Sequence, residues 1–154
     1  MSSGFVHLHT HSSYSPMWGI PTLEALCQAA RTQGQDRLAL TDTNGLYGAI
    51  RFLEVAKHEG LKPILGAELV HKAHRAVLLA KTPAGYANLC RLLSARHEES
   101  TFDFIAAVAR YRAGLIILSD DLSALRTWRK DSPKDVYVEL TPGSDIQEAI
   151  TFSR

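Results

Sequence analysis

Three histidines, His7, His9 and His11, stand at every second position of a short stretch, Phe5 to Ser12, in which the residues between them begin apolar. On a β-strand successive side chains point to opposite faces, so all three imidazoles are expected on one side. Imidazoles held that close favour the neutral form, because protonating all of them sets like charges together. Neutral ring nitrogens suit zinc, iron or manganese, and a His-x-His pair at a strand end offers two ligands on one element. The tract continues straight into turn chemistry at Ser12-Ser13-Tyr14-Ser15-Pro16. That favours a site over a histidine-rich strand on a solvated face.

The elements that must position these residues follow from periodicity. Phe5 to His9 reads as a first strand and Ser12 to Pro21 as a loop. A helix follows with Thr22 as N-cap, Glu24 in its first turn, and Leu23, Leu26, Cys27 and Ala30 on one stripe, ended by Gly34. Arg37 to Thr41 is a short apolar strand closed by the turn Asp42-Thr43-Asn44-Gly45. A second helix covers Tyr47 to Glu59, and Pro63 to Val70 forms a third strand. This alternation implies parallel strands joined by crossover helices. Further on, Arg75 to Lys81 reads as a strand, and Pro83 opens a helix carrying Tyr86, Leu89, Cys90 and Leu93. Phe104 to Arg112 is helical, Leu115 to Leu118 is a strand, Ser123 to Trp128 is a short helix, and Val136 to Leu140 is a sixth strand. Pro142-Gly143-Ser144-Asp145 starts a last helix that is still running at Arg154, which is expected of a fragment of a longer chain. Six strands are therefore expected, five of them mostly parallel.

The 154 residues suffice for one ordinary domain, 1–154, with a sizeable core. A net charge of +1, from 17 basic and 16 acidic residues, provides no overall electrostatic footprint for nucleic acid. No apolar run approaches the roughly 20 residues that span a bilayer, and Met1-Ser2-Ser3-Gly4 lacks the features of a signal peptide. Cys27 and Cys90 sit in helical apolar patterns and read as buried, unpaired thiols of a cytoplasmic protein with no membrane partner.

In parallel α/β folds functional groups gather where strands end. That rule collects His9, His11, Asp42, Glu68, Asp120, Glu139 and Thr141, a set suited to metal-assisted hydrolysis, in which metals activate water and clamp phosphate. Asp42 can equally be a turn residue, and Asp120 and Asp121 solvated loop residues. Glu68 is harder to explain that way, because a charge between Ile64-Leu65 and Leu69-Val70 needs a partner. His58 and His97 read as surface groups. The sequence has no P-loop, no Gly-x-Ser-x-Gly elbow and no Cys-x-x-Cys pair.

Three stretches, His9 to Ser15, Leu38 to Gly48 and Lys62 to Glu68, resemble successive motifs of the polymerase and histidinol phosphatase (PHP) domain. The version is similar to the N-terminal domain of bacterial DNA polymerase III alpha subunits. Leu78 to Lys81, Gly85 to Leu93 and Val136 to Leu140 extend the likeness over nearly the whole chain, and Cys90-Arg91-Leu92-Leu93 leans toward the error-prone lineage. The resemblance implies a distorted (β/α)7 barrel, incomplete in this chain, with a trinuclear metal site at its mouth. Position by position, it implies that His9, His11 and Glu68 are metal ligands. Asp42 matches the aspartate that precedes a ligand histidine, and His7, Asp42 and His74 are implied as supporting groups or further ligands.

The chain also departs from the family. Trp18 stands where the family has aspartate, Thr43 where it has a ligand histidine, and Arg75 where a histidine opens the next strand, with His74 one place off. The family's final Asp-x-His motif would lie beyond Arg154. An indole cannot ligate a metal, a threonine is a poor substitute for imidazole, and an arginine repels cations while offering a phosphate contact. The expectation is a degenerate site holding at most one divalent ion, zinc or manganese, in the PHP domain of a DNA-directed DNA polymerase, where the domain serves mainly as scaffold. The implied partners are the remainder of the polymerase chain, DNA through that polymerase, and a proofreading exonuclease subunit docked on the domain. The alternative is an active metal-dependent phosphoesterase, either a 3'-5' exonuclease or histidinol-phosphatase-like.

Overall fold

Thr22 accepts a hydrogen bond from the Ala25 amide and so starts helix α1 (Leu23–Thr32), which buries Leu23, Cys27 and Ala30. The computed structural model describes residues 4–142 and 146–153. Among them are five strands and six helices, in agreement with the α/β class read from the sequence. The chain forms two compact units, Met1–Glu68 and Leu69–Arg154.

In the first unit, α1 is followed by β1 (Arg37–Leu40), α2 (Ala49–His58) and the opening of β2 (Lys62–His71). β1 and β2 pair in parallel from Arg37 opposite Lys62 to Leu40 opposite Leu65. Helices α1 and α2 cover the strands, and Leu23, Cys27, Leu38, Leu40, Phe52, Val55, Ala56 and Leu61 form one buried cluster. Gly34 and Gly60 follow the two helices at φ 73° and 71°, the left-handed region in which glycine ends a helix without strain.

The expected first strand at Phe5–His9 is not a strand. The segment runs beside β1 but makes few ladder bonds: Ala39 donates to the His7 carbonyl (3.1 Å) and Thr41 to the Thr10 carbonyl (3.0 Å). The Thr41 hydroxyl takes the Thr10 amide (2.8 Å) in place of a backbone carbonyl.

In the second unit, β3 (His74–Ala80) follows β2 after only two residues, with Lys72 at φ 54°. A connection that short suits a hairpin and not a crossover. Helices α3 (Pro83–Glu98) and α4 (Phe104–Tyr111) then lead to β4 (Leu115–Ser119), which pairs antiparallel with β3, Val77 lying opposite Leu118. After α5 (Leu122–Asp131), β5 (Val136–Val138) pairs parallel with β4. The expected mostly parallel set is therefore corrected at β3–β4. An apolar run by itself carries no mark of strand direction.

Thr82, Asp103 and Asp121 cap α3, α4 and α5 with their side chains. Gly85, in the first turn of α3, lies so close to the Gly114 carbonyl that any side chain there would collide with it. The last helix, α6, spans Ile146–Ser153. Its expected start at Gly143-Ser144-Asp145 lies outside the described residues, as does Arg154. No helix among the described residues is long and apolar enough to cross a membrane.

Both cysteines are free. Cys27 is fully buried, whereas Cys90 is only half-buried, which corrects the expectation for the second thiol. Burial pushes the Cys27 thiol up to about 11, and the charges of Glu59 and Glu24 add to the shift. An unfolded chain ionises this thiol at lower pH than the folded one, so its contribution to stability falls as pH rises past the ordinary thiol value. In the native protein Cys90 should be alkylated first at neutral pH and Cys27 should stay protected. Equal labelling rates by mass spectrometry would contradict this.

Candidate metal centre

Two neighbouring elements of the first unit supply the site. The β1–β2 pairing places residues 37–40 opposite 62–65. The same offset, carried three residues further, brings Thr43 opposite Glu68 in a parallel bridge. The Glu68 amide donates to the Thr41 and Asp42 carbonyls (3.3 and 3.2 Å), and its carbonyl accepts from Asn44 (2.8 Å). Paired residues of a parallel ladder share a face, so the Thr43 hydroxyl reaches the Glu68 carboxylate, Oγ1 to Oε2 3.0 Å.

His9 and His11 arrive from the segment beside β1. Alternation keeps these two together, their Nε2 atoms 3.0 Å apart. His9 Nε2 lies 3.5 Å from Glu68 Oε1, and His11 Nε2 lies 3.5 Å from Oε2. The three ligand atoms all lie within 4.8 Å of one another. Zinc bonds of 2.0–2.1 Å in a tetrahedron separate neighbouring ligands by about 3.3–3.4 Å, so the observed spacings suit one ion held by two imidazoles and a carboxylate. Glu68 is buried and the two imidazoles are partly exposed. Burial raises the Glu68 carboxyl, but the hydrogen bond from His9, the charge of His11 and the hydroxyl of Thr43 outweigh it and hold the group below its ordinary value.

The loop after His11 is built on Asp42. The Ser12 amide donates to Asp42 Oδ1 (2.7 Å), the Ser12 hydroxyl reaches Oδ2 (2.8 Å), and the Ser15 hydroxyl reaches Oδ1 (2.7 Å). Asp42 is itself 2% exposed. The chain then turns through Trp18 and Gly19, whose amides both donate to the Ser15 carbonyl, and Ser13 closes the loop on Pro21. On its other side Ser15 meets His11, Oγ to Nδ1 3.2 Å, and Thr43 Oγ1 stands at the same distance from that nitrogen.

The structure thus brings His9, His11 and Glu68 together and sets Asp42 behind them as the anchor of the Ser12–Ser15 turn. His7 does not join them. It is exposed, and its ring packs edge-on against Phe5 at 4.9 Å. Trp18 is 67% exposed.

His74 and Arg75 lie in the second unit. His74 Nδ1 pairs with Asp121 Oδ2 at 2.7 Å while its ring stacks on Phe104. The Arg75 guanidinium grips Asp120 at both oxygens (3.2 and 2.7 Å). That grip, helped by the Thr141 hydroxyl, holds the Asp120 carboxyl below its ordinary value despite burial. Asp120 and Asp121, read as solvated, both have side-chain partners: Asp120 is ion-paired with Arg75, and Asp121 is hydrogen-bonded to His74. His58, expected at the surface, is exposed beside Glu59.

Sequence reasoning did not foresee the hydroxyls of Ser12, Ser15 and Thr43 as parts of the site. The available signal was the concentration of hydroxyl residues directly after His11 and after Asp42.

The family profile of the PHP domain matches residues 7–140. The chain is 47% identical over 94 residues to an error-prone DNA polymerase of Symbiobacterium thermophilum, a match covering 60% of this chain and 9% of that one. It is 35% identical over 140 residues to the DNA polymerase III subunit alpha of Treponema pallidum, covering 77% of this chain and 12% of that one. The matched part is thus a small fraction of these relatives' length. Among solved structures, a protein of Bifidobacterium adolescentis assigned as a metal-dependent phosphoesterase superposes with a TM-score of 0.63 at 12% identity, covering 99% of this chain and 84% of that one. That likeness is one of fold.

Proposed function

The chain belongs to the PHP domain family, and on that premise we propose that it is the PHP domain of a DNA polymerase III alpha-type DNA polymerase, with a reduced metal site and a mainly structural role. The observation that carries the polymerase assignment is the 47% identity over 94 residues to an error-prone DNA polymerase. In this reading residues 1–154 are one domain of a longer cytoplasmic polymerase, and the partners are the rest of that chain, DNA bound by it, and a proofreading exonuclease subunit.

His9 Nε2, His11 Nε2 and the Glu68 carboxylate would hold one divalent ion, zinc or manganese. Bound there, the ion would supply Lewis-acid polarisation of a phosphoryl oxygen and a more acidic water. The residues around it keep it single. Thr43, where the resemblance calls for another imidazole, is hydrogen-bonded to Glu68 and within reach of His11. Two-metal cleavage needs a second ion to hold the oxygen opposite the first, and the metal-ligating group found among the described residues is the one set His9, His11 and Glu68.

Elemental analysis of the purified chain should find at most one zinc or manganese per molecule. A hydrolysis assay on single-stranded DNA and on a simple phosphomonoester, run beside His9→Ala, should find no metal-dependent turnover above the variant. Turnover that the variant abolishes would replace the scaffold reading with that of an active phosphoesterase.

A further inference from the structure

We infer that Ser15 and Thr43 are positioning residues that hold His11 in the tautomer with its proton on Nδ1, leaving the Nε2 lone pair directed at His9 and Glu68. This deepens the single-ion reading above and rests on it for the ion, though not for the tautomer.

The inference comes from counting protons. A hydroxyl has one proton to donate, and an ionised carboxylate can only accept. Ser15 Oγ donates to Asp42 Oδ1 at 2.7 Å, and Thr43 Oγ1 donates to Glu68 Oε2 at 3.0 Å. Both oxygens therefore face His11 Nδ1 as acceptors, each at 3.2 Å. The Thr43 amide also donates to Ser15 Oγ (2.9 Å), which fixes that oxygen in place. A nitrogen between two acceptors must carry the proton, which it shares with both. In a neutral imidazole the other nitrogen is then bare.

The bare Nε2 sits 3.0 Å from His9 Nε2 and 3.5 Å from Glu68 Oε2. A lone pair and a carboxylate oxygen facing the same gap repel each other unless a proton or a cation lies between them. His9 can bring one N–H into the gap, whereas a cation there satisfies both rings and the carboxylate. Thr43 touches two of the three ligands, so its hydroxyl fixes their relative placement. Asp42, buried behind Ser15, keeps the serine proton pointing away from the ring.

The test uses the metal-free chain first. Nitrogen-15 NMR of its imidazoles at mildly alkaline pH should show His11 with Nδ1 protonated and Nε2 bare. The opposite tautomer, or a mixture of the two, overturns the inference whether or not metal binds. Zinc titration then compares the native chain with Thr43→Val and Thr43→Ser. Partners behind a ligand are worth about 10–100-fold in metal affinity, so Thr43→Val should weaken zinc binding by at least about tenfold and Thr43→Ser should restore it. Equal affinities for the native chain and Thr43→Val overturn the positioning role. A native chain that takes up no zinc defeats the single-ion reading, and the tautomer measurement then decides this inference alone.

Discussion

Asp42→Ala should lower the unfolding free energy by about 3 kcal/mol and weaken metal binding in the same step. Each hydrogen bond to a charged group contributes about 1.5–3 kcal/mol, and Asp42 accepts from three groups, the Ser12 amide, the Ser12 hydroxyl and the Ser15 hydroxyl. These bonds share one carboxylate, so their loss is less than additive. Removing the carboxylate leaves the buried Ser12 and Ser15 groups without their acceptor and frees the turn that presents Ser15 to His11. Asp42→Asn should fall between, because its amide supplies one oxygen and turns a donor toward the hydroxyls. Urea unfolding followed by circular dichroism, with a zinc titration on the same samples, reads both effects. A stability loss under about 1 kcal/mol for the alanine variant would mean that Asp42 does not anchor the loop.

Trp128→Ala should cost about 3–5 kcal/mol, the range for emptying a buried aromatic site. Trp128 is completely buried in the second unit, its ring 6.0 Å from that of Phe104, and its indole N–H donates to the Ile105 carbonyl (3.1 Å). Phe104 in turn stacks on His74, so the cavity would loosen the wall against which that imidazole rests. Trp128→Phe keeps much of the volume but leaves the Ile105 carbonyl without its donor, which should cost about 1–2 kcal/mol. Chemical denaturation of the two variants beside the native chain measures the difference. Equal losses for phenylalanine and alanine would show that the indole hydrogen bond, and not the packing, dominates.

The features legible in the sequence are those set by neighbours along the chain. Thr22 and Pro83 mark their helix starts because caps act within one turn. His9 and His11 lie side by side because alternation is local, and the same rule would have included His7 had the segment beside β1 formed a full strand. It did not, because the Thr10 amide bonds to the Thr41 side chain, and nothing in the local pattern announces that choice. Likewise the apolar run of β4 shows that it is buried without showing that it runs antiparallel to β3.

By itself, then, the sequence determined the helices and their caps, the His-x-His pair, and the isolated charge of Glu68 that had to find a partner. Only the tertiary structure decided what that partner would be. Glu68 meets the histidines because a parallel register between segments 25 residues apart sets Thr43 opposite it. Arg75 and His74 are engaged by Asp120 and Asp121, more than 40 residues away, partners that local spacing does not announce. The tautomer of His11 depends on where two hydroxyls send their protons, and the destination of each is a carboxylate from a distant part of the chain. Periodicity records which face a side chain takes. Hydrogen-bond direction depends on every partner present at once, and those partners meet only when the chain is folded.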